Sequence, residues 1–126
     1  MAGEKILVVE DNEFNMMLVF DLLEMAGFQV IQAETAEEAL ELAKTELPAM
    51  IVMDVGLPRM DGLTATKLLH EDPATKSIPV VALTAHVMKG DEQKALDAGC
   101  IGYIAKPLDA KNFARQIEDF FKRTPK

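Results

Sequence analysis

The sequence predicts an α/β fold in which five parallel strands form a doubly wound (βα)5 sheet with helices on both faces. Short apolar runs alternate five times with longer segments of helical character. The runs at 6–9, 50–53 and 80–83 are continuously apolar, as in strands that are covered on both faces. Right-handed helical crossovers between parallel strands are the usual outcome of such an alternation.

Each element has a local signal of its own. The first helix, over 13–26, ends before Gly27, a residue type that favours the position after a helix. Thr35 and Glu38 have the spacing of a capping box, so a second helix is expected over 35–45. Pro79 precedes the fourth strand, and Gly99 closes a weaker fourth helix. The remaining strands are expected at 28–31 and 101–104, and the remaining helices at 61–71, 88–98 and 109–122.

The first helix has an apolar stripe that we expect to face the core, and it consists of Asn15, Leu18, Val19, Leu22, Leu23 and Ala26. Met16 and Phe20 flank this stripe. The opposite side carries Phe14, Met17 and Met25 beside the acidic Asp21 and Glu24. Exposed apolar residues rimmed by charge often mark a protein-binding surface. We therefore predict partner docking at Phe14, Met17 and Asp21, with simple cover for neighbouring loops as the alternative.

Composition limits the functions that are open to this chain. Its 126 residues predict one domain, spanning 1–126 without an output domain. The net charge of −8, with no dense basic cluster, argues against direct binding of nucleic acid or anionic membranes. No apolar run approaches the length of a membrane span. A single cysteine, Cys100, fits a reducing compartment, so a cytoplasmic location is expected.

Polar residues follow four of the predicted strands. Glu10 and Asp11 follow the first strand, Asp54 the third and Thr84 the fourth, and Lys106 comes just after the fifth. Taken singly, these residues are ordinary helix caps or loop residues. Ligands of open α/β sheets bind outside the carboxyl ends of the strands, where all five would meet. Two carboxylates 4 Å apart repel by about 4 kcal/mol at an effective dielectric near 20, so such a site needs cations.

The motifs at these strand ends resemble those of CheY-like response-regulator receiver domains. The matching segments are residues 9–12, 53–62, 83–85 and 106–107, in the family's order and spacing across the chain. Asn12, Asn15 and residues 88–92 are similar to the free-standing DivK type of cell-cycle receiver. The resemblance implies a flavodoxin/CheY-like fold and a role in two-component signalling.

The resemblance also implies roles for individual residues. Asp54 would be the phosphoacceptor. Asp11, Asp54 and the backbone carbonyl of Gly56 would bind Mg²⁺ or Mn²⁺, with Glu10 acting through a water molecule. Glu10 stands where the family more often has Asp, a variant that is expected to preserve metal binding.

Thr84 and Lys106 would hold the phosphoryl oxygens. Tyr103 would be a switch residue that turns inward with Thr84, although a plain aromatic at the edge of the core is a competing interpretation. The peptide bond between Lys106 and Pro107 would be cis.

The function implied is that of a stand-alone response regulator. A histidine kinase or a histidine phosphotransfer protein would donate the phosphoryl group, and a downstream protein would read the signal. The chain would be a monomer or weak dimer and, despite catalysing its own phosphorylation and dephosphorylation, no conventional enzyme.

Three alternatives stay open. A degenerate receiver could act as a scaffold, although Asp54, Thr84 and Lys106 are all present. An aspartyl-phosphate phosphotransferase for small molecules would usually have a second acid where this chain has Gly56. A flavodoxin-like cofactor binder would need a phosphate-binding loop after the first strand, and none is evident.

Overall fold

The computed structural model describes residues 3–84, 91–106 and 108–123. The strands are β1 (Lys5–Val9), β2 (Gln29–Ala33), β3 (Met50–Asp54), β4 (Val80–Thr84) and β5 (Gly102–Ala105). The helices are α1 (Glu13–Met25), α2 (Ala36–Glu46), α3 (Gly62–Glu71), α4 (Asp91–Ala98) and α5 (Phe113–Arg123). Strands and helices therefore alternate along the described chain, as the sequence predicts.

All five strands pair in parallel in one sheet of order β2-β1-β3-β4-β5. Two apolar cores cover its two faces. One contains buried residues of α2, α3 and α4, and the other contains buried residues of α1 and α5. Adjacent residues of β1 and of β3 point into different cores, which explains why these strands are apolar at every position. The predicted doubly wound α/β fold is confirmed.

Side-chain caps fix where three of the helices begin. Asn12 Oδ1 accepts the backbone N–H of Asn15 at 2.9 Å and so caps α1. Thr35 and Asp61 cap α2 and α3 in the same way. Because Asn12 and Asp61 act as caps, Asp11 and Asp54 need not serve as caps for these helices.

The fifth helix begins later than the sequence pattern predicts. Asp109 closes a turn, in which its carbonyl oxygen accepts the N–H groups of Asn112 and Phe113 at 3.0 and 2.8 Å. Regular helix then starts at Phe113. The fourth helix is described from Asp91 onward, and its predicted first turn, 88–90, lies outside the described residues.

The buried face of α1 is rotated relative to the predicted stripe. Met16, Val19 and Leu23 are its buried residues, whereas Asn15 and Leu18 are half-buried. Met16 was expected to flank the stripe, and it instead packs in the core beneath α1 and α5. The spacing of apolar residues predicts which side of a helix is buried, but it does not decide between a residue at the border of the stripe and its neighbour. Tertiary packing decides which of these border residues is buried.

Among the described residues, no helix combines the length and the apolar character that a membrane span requires.

Candidate functional site

The strand register brings the predicted polar residues to one edge of the sheet. Val9 of β1 pairs with Met53 of β3, so Glu10 and Asp54 follow at the same level. Thr84 ends β4 opposite Ala105 of β5, and Lys106 comes next. Backbone bonds hold these ends together, including one from the Lys106 N–H to the Thr84 carbonyl oxygen at 2.8 Å.

Glu10, Asp11 and Asp54 form a cluster of three carboxylates. One oxygen from each lies within 4.8 Å of the others. Glu10 and Asp54 are buried, with 1% and 6% of their surface exposed, whereas Asp11 is exposed. At that distance a pair of charges repels by roughly 3 kcal/mol at an effective dielectric near 20. A cluster of this kind needs positive charge beside it.

Lys106 supplies positive charge from the protein itself. Its Nζ lies 2.8 Å from Glu10 Oε2 and 3.3 Å from Asp54 Oδ2, and its side chain is 16% exposed. Burial alone would lower the pKa of Lys106, but the hydrogen bond to Glu10 and the Asp54 charge raise it. The lysine is therefore held as a cation between two buried carboxylates.

Burial has the opposite consequence for Glu10, because it disfavours the charged form of a carboxyl group. Desolvation raises the pKa of Glu10, and repulsion from Asp54 acts in the same direction. The bond to Lys106 and the Asn12 N–H, which donates to Glu10 Oε1 at 3.2 Å, oppose this rise. Glu10 therefore carries its charge at a cost, which Lys106 and the Asn12 N–H partly offset.

The chain after β3 orients Asp54. Its Oδ1 accepts the backbone N–H of Gly56 at 3.0 Å, and Oδ2 faces Lys106. Gly62, the first residue of α3, donates its N–H to the Val55 carbonyl oxygen at 3.2 Å. A Cβ on Gly62 would overlap the carbonyl oxygen of Asp54. The sequence analysis did not anticipate this close approach.

The donor set of the cluster fits a hard divalent cation. Mg²⁺ prefers oxygen ligands and binds through one or two carboxylates while it keeps several water molecules. Glu10, Asp11 and Asp54 offer carboxylate oxygens of the kind that such an ion binds. Zinc and copper sites, in contrast, usually contain nitrogen or sulfur ligands.

The predicted switch residues border a cavity of about 780 Å³ between α3 and α4, whose lining includes both Thr84 and Tyr103. Both residues are half-buried. Pro107 lies outside the described residues, and so does its predicted cis bond to Lys106.

The predicted docking residues are exposed on α1. Phe14 and Met17 have 73% and 62% of their surface exposed, and Asp21 is exposed on the same helix. Met17 also lines a groove with Glu10 and Asp11. This face of α1 is therefore continuous with the acidic cluster.

Comparison with known proteins identifies the family to which this site belongs. The family described as the response regulator receiver domain matches residues 6–118. The chain belongs to this family.

The chain is 42% identical over 117 residues to the polar-differentiation response regulator DivK of Brucella ovis, and the match covers 93% of this chain and 95% of that protein. DivK of Brucella abortus strain 2308 gives the same values.

Solved receiver structures have the same fold. The receiver domain of the sensor histidine kinase PA1611 from Pseudomonas aeruginosa PAO1, with a magnesium ion in its active-site cleft, is similar at a TM-score of 0.87 and 31% identity. The match covers 96% of this chain and 99% of that one. The chemotaxis protein CheY4 of Vibrio cholerae matches at a TM-score of 0.88 and 26% identity, covering 94% and 98% of the two chains. The chain is thus a receiver of the two-component type, similar to DivK.

Proposed function

We propose that this chain is a stand-alone phosphorylation switch in which Asp54 accepts a phosphoryl group from a histidine kinase or a histidine phosphotransfer protein. The carrying observation is the placement of Lys106 Nζ, which lies 2.8 Å from Glu10 and 3.3 Å from Asp54 beside the acidic cluster. The 42% identity to the response regulator DivK, over 95% of that protein's length, supports this proposal.

The chemistry is an in-line displacement at phosphorus. An oxygen of the Asp54 carboxylate forms the new P–O bond while the P–N bond of the phosphohistidine breaks, and the imidazole leaves with the electron pair of that bond. The product is an acyl phosphate on Asp54. The Gly56 N–H donates to Asp54 Oδ1 and orients the carboxylate. Lys106 places its positive charge beside Oδ2, where the negative oxygens of the phosphoryl group would accumulate. Positioning and charge stabilisation account for most of the catalysis of phosphoryl transfer.

We propose Mg²⁺, or Mn²⁺ in its place, as the cofactor. Asp11, Asp54 and the Gly56 carbonyl would hold the ion, and Glu10 would act through a water molecule. When bound, the ion neutralises charge on the transferring group. The magnesium ion in the PA1611 receiver supports this proposal.

The acceptor assignment is tested by intact mass after incubation with acetyl phosphate and Mg²⁺. We expect one phosphoryl adduct on the wild-type chain and none on Asp54→Asn. An adduct that persists on the variant would disprove the assignment. Steady turnover of a small phosphate ester would instead favour a phosphotransferase, and an intact Asp54 that accepts no phosphate would favour a scaffold.

The metal assignment has a readout that does not depend on activity. Millimolar Mg²⁺ should raise the melting temperature of the wild-type chain by binding the native state. Asp11→Ala should lose this shift and lose phosphorylation as well. A melting curve that Mg²⁺ leaves unchanged, with normal phosphorylation of Asp11→Ala, would contradict the site.

The switch would couple Thr84 to Tyr103 through the cavity that both residues line. A hydroxyl contact to the phosphoryl group would draw Thr84 toward Asp54, and the Tyr103 ring would have space to turn inward. This is a shift between two packings that phosphorylation biases. Thr84→Ala should accept phosphate but transmit it poorly. Equal phosphorylation-dependent partner affinity in this variant and in wild type would refute the coupling.

We propose that the phosphodonor docks on α1 at Phe14, Met17 and Asp21. A helical partner could cover the exposed apolar side chains and present its phosphohistidine at the neighbouring acidic cluster. Met17→Lys combined with Phe14→Ser should slow transfer from the cognate donor and leave phosphorylation by acetyl phosphate unchanged. Equal loss with both donors would mean that the face is structural, and loss with neither would place docking elsewhere.

The output we propose is protein binding in the cytoplasm, by a monomer or weak dimer, with no direct contact to nucleic acid. The net charge of −8 supports this, since nucleic-acid binding depends on a basic surface.

A further inference from the structure

The methionines of the described chain include both well-buried and strongly exposed members. Met17 and Met25 have 62% and 84% of their surface exposed. Met16, Met50 and Met53 have at most 8% exposed. Peroxides oxidise a thioether to a sulfoxide, and the reaction is faster where the oxidant reaches the sulfur freely. The two exposed methionines are therefore open to oxidation, whereas the core protects the three buried ones.

The two exposed methionines occupy different parts of α1. Met17 comes one turn after Phe14, which is also exposed, and it lines the groove that contains Glu10 and Asp11. Met25 is the last residue of the helix, about 12 Å farther along its axis, and does not contribute to the groove. Met17 therefore borders the acidic cluster, whereas Met25 does not.

We propose that Met17 is a site of reversible oxidation by hydrogen peroxide, and that its sulfoxide slows phosphoryl transfer from a protein donor. In the oxidation, a lone pair of the sulfur forms a bond to one peroxide oxygen as the O–O bond breaks. The other oxygen takes up the proton of the first and leaves as water. The sulfur is oxidised and the peroxide is reduced by the same pair of electrons, so the step is balanced.

The effect on phosphoryl transfer rests on the proposed docking of the donor at Phe14, Met17 and Asp21. A thioether that a partner covers favours binding because its apolar surface is removed from water. A sulfoxide is polar and loses hydrogen bonds to water when it is covered. Oxidation should therefore weaken docking and leave the carboxylate of Asp54 unchanged. Sulfoxide reductases restore the thioether, which makes the modification reversible.

Peptide mapping by mass spectrometry tests the site without any partner protein. The folded wild-type chain is sampled during treatment with hydrogen peroxide, and the chain unfolded in urea serves as the reference. In the folded chain, Met17 should be oxidised about eightfold faster than Met16, in proportion to their exposed surfaces of 62% and 8%. The two should react at similar rates in urea. Oxidation of Met17 no faster than that of Met16 in the folded chain would overturn the proposal.

Two matched variants isolate the effect of the Met17 sulfoxide. Met25→Leu retains Met17, Met17→Leu retains Met25, and all other methionines are common to both chains. The probe is an autophosphorylated histidine kinase that transfers phosphate to the untreated variants. Peroxide should lower the transfer rate to Met25→Leu by at least about fivefold relative to the same variant before treatment. The transfer rate to Met17→Leu should not change on treatment.

Phosphorylation by acetyl phosphate separates this proposal from the acceptor function. For each variant, the rate of adduct formation on Asp54 should be the same before and after peroxide. The two epimer-specific sulfoxide reductases should restore transfer from the kinase to oxidised Met25→Leu. Unchanged transfer to this oxidised variant, or equal loss in both variants, would overturn the role of Met17. Untreated chains that form no adduct would instead overturn the proposed function, and the peptide map would still decide whether Met17 is the oxidised site.

Discussion

Replacement of Gly62 by alanine should destabilise the protein and, under the proposed function, slow the phosphorylation of Asp54. Gly62 is the first residue of α3, and an added Cβ would overlap the backbone carbonyl oxygen of Asp54. The same Cβ would lie 2.8 Å from Met53 Cγ and 3.0 Å from the Asp54 carbonyl carbon. The flexible Met53 side chain could move away, but the carbonyl belongs to the backbone of β3 at Asp54. The helix and the end of β3 must therefore separate.

The magnitude follows from two opposing effects. Overpacking of a close contact costs about 1–3 kcal/mol, and a backbone obstacle places this case at the upper end. Alanine gains up to about 1 kcal/mol over glycine in a helix. The net loss in free energy of unfolding should be about 2 kcal/mol, or roughly 8 °C in melting temperature. A displacement of Asp54 by even part of an ångström should also slow phosphorylation by at least about tenfold, because misplacement near 1 Å costs about a hundredfold.

Gly56→Ala is the matched control, because a Cβ at Gly56 would lie 3.7 Å from Asp54 Oδ1, an ordinary contact. Its free energy of unfolding should stay within about 0.5 kcal/mol of wild type. Urea unfolding and the initial rate of adduct formation with acetyl phosphate are measured for both variants. If Gly62→Ala matches Gly56→Ala in stability and in rate, the close approach has no functional role and the reasoning is refuted.

Three further predictions concern ionisable groups. Lys106→Met should lower the free energy of unfolding by about 3 kcal/mol, because it leaves the buried Glu10 carboxylate without its ion-pair partner. The double variant that also carries Glu10→Gln should recover part of that loss when both are measured by urea unfolding. Burial raises the pKa of the Cys100 thiol from 9.0 to about 11. The stabilisation of the folded state that comes from keeping this thiol protonated is complete below pH 9, and it falls by about 2–3 kcal/mol as the pH rises to 11. The stability difference between wild type and Cys100→Ala should shrink over that interval, and a constant difference would contradict the shift. The pKa of Asp72 is lowered mainly by a hydrogen bond from a backbone N–H and secondarily by Lys44. In a carbon-detected NMR titration, Lys44→Gln should therefore raise this pKa only part of the way back to its ordinary value. A full return would contradict this ranking.

Sequence reasoning reached the acidic cluster because parallel strands impose a rule that is independent of packing detail. Every strand delivers its next residue to the same edge, so the residues after four apolar runs must lie near one another. The separation of roles between Asp11 and Asn12 needed the structure. Both residues are suitable helix caps, and only the backbone geometry shows that Asn12 caps α1 while Asp11 remains exposed.

Features that depend on the rotation or approach of a helix were beyond the sequence. Met16 is buried because of the way α1 lies on the sheet, although its position in the helical pattern predicted a flanking role. The size of the cavity between α3 and α4 depends on how the two helices are placed relative to each other. The periodicity of side chains along each helix does not encode this placement. The late start of α5 reflects the turn closed by Asp109, because an aspartate can cap a helix or close a turn equally well.

The charge balance of the site explains how one edge of the sheet can fold and still keep a net negative charge. Lys106 is one ammonium that pairs with two members of a cluster of three carboxylates. It therefore stabilises the buried pair Glu10 and Asp54 but leaves the cluster negative overall. The uncompensated charge is greatest toward Asp11, the exposed member, where a cation can enter from solvent. A second internal cation would make the cluster nearly neutral, and without Lys106 the two buried carboxylates would be unpaired. The same lysine is therefore a structural ion-pair partner before phosphorylation and, in the proposed function, a ligand of the phosphoryl group after it.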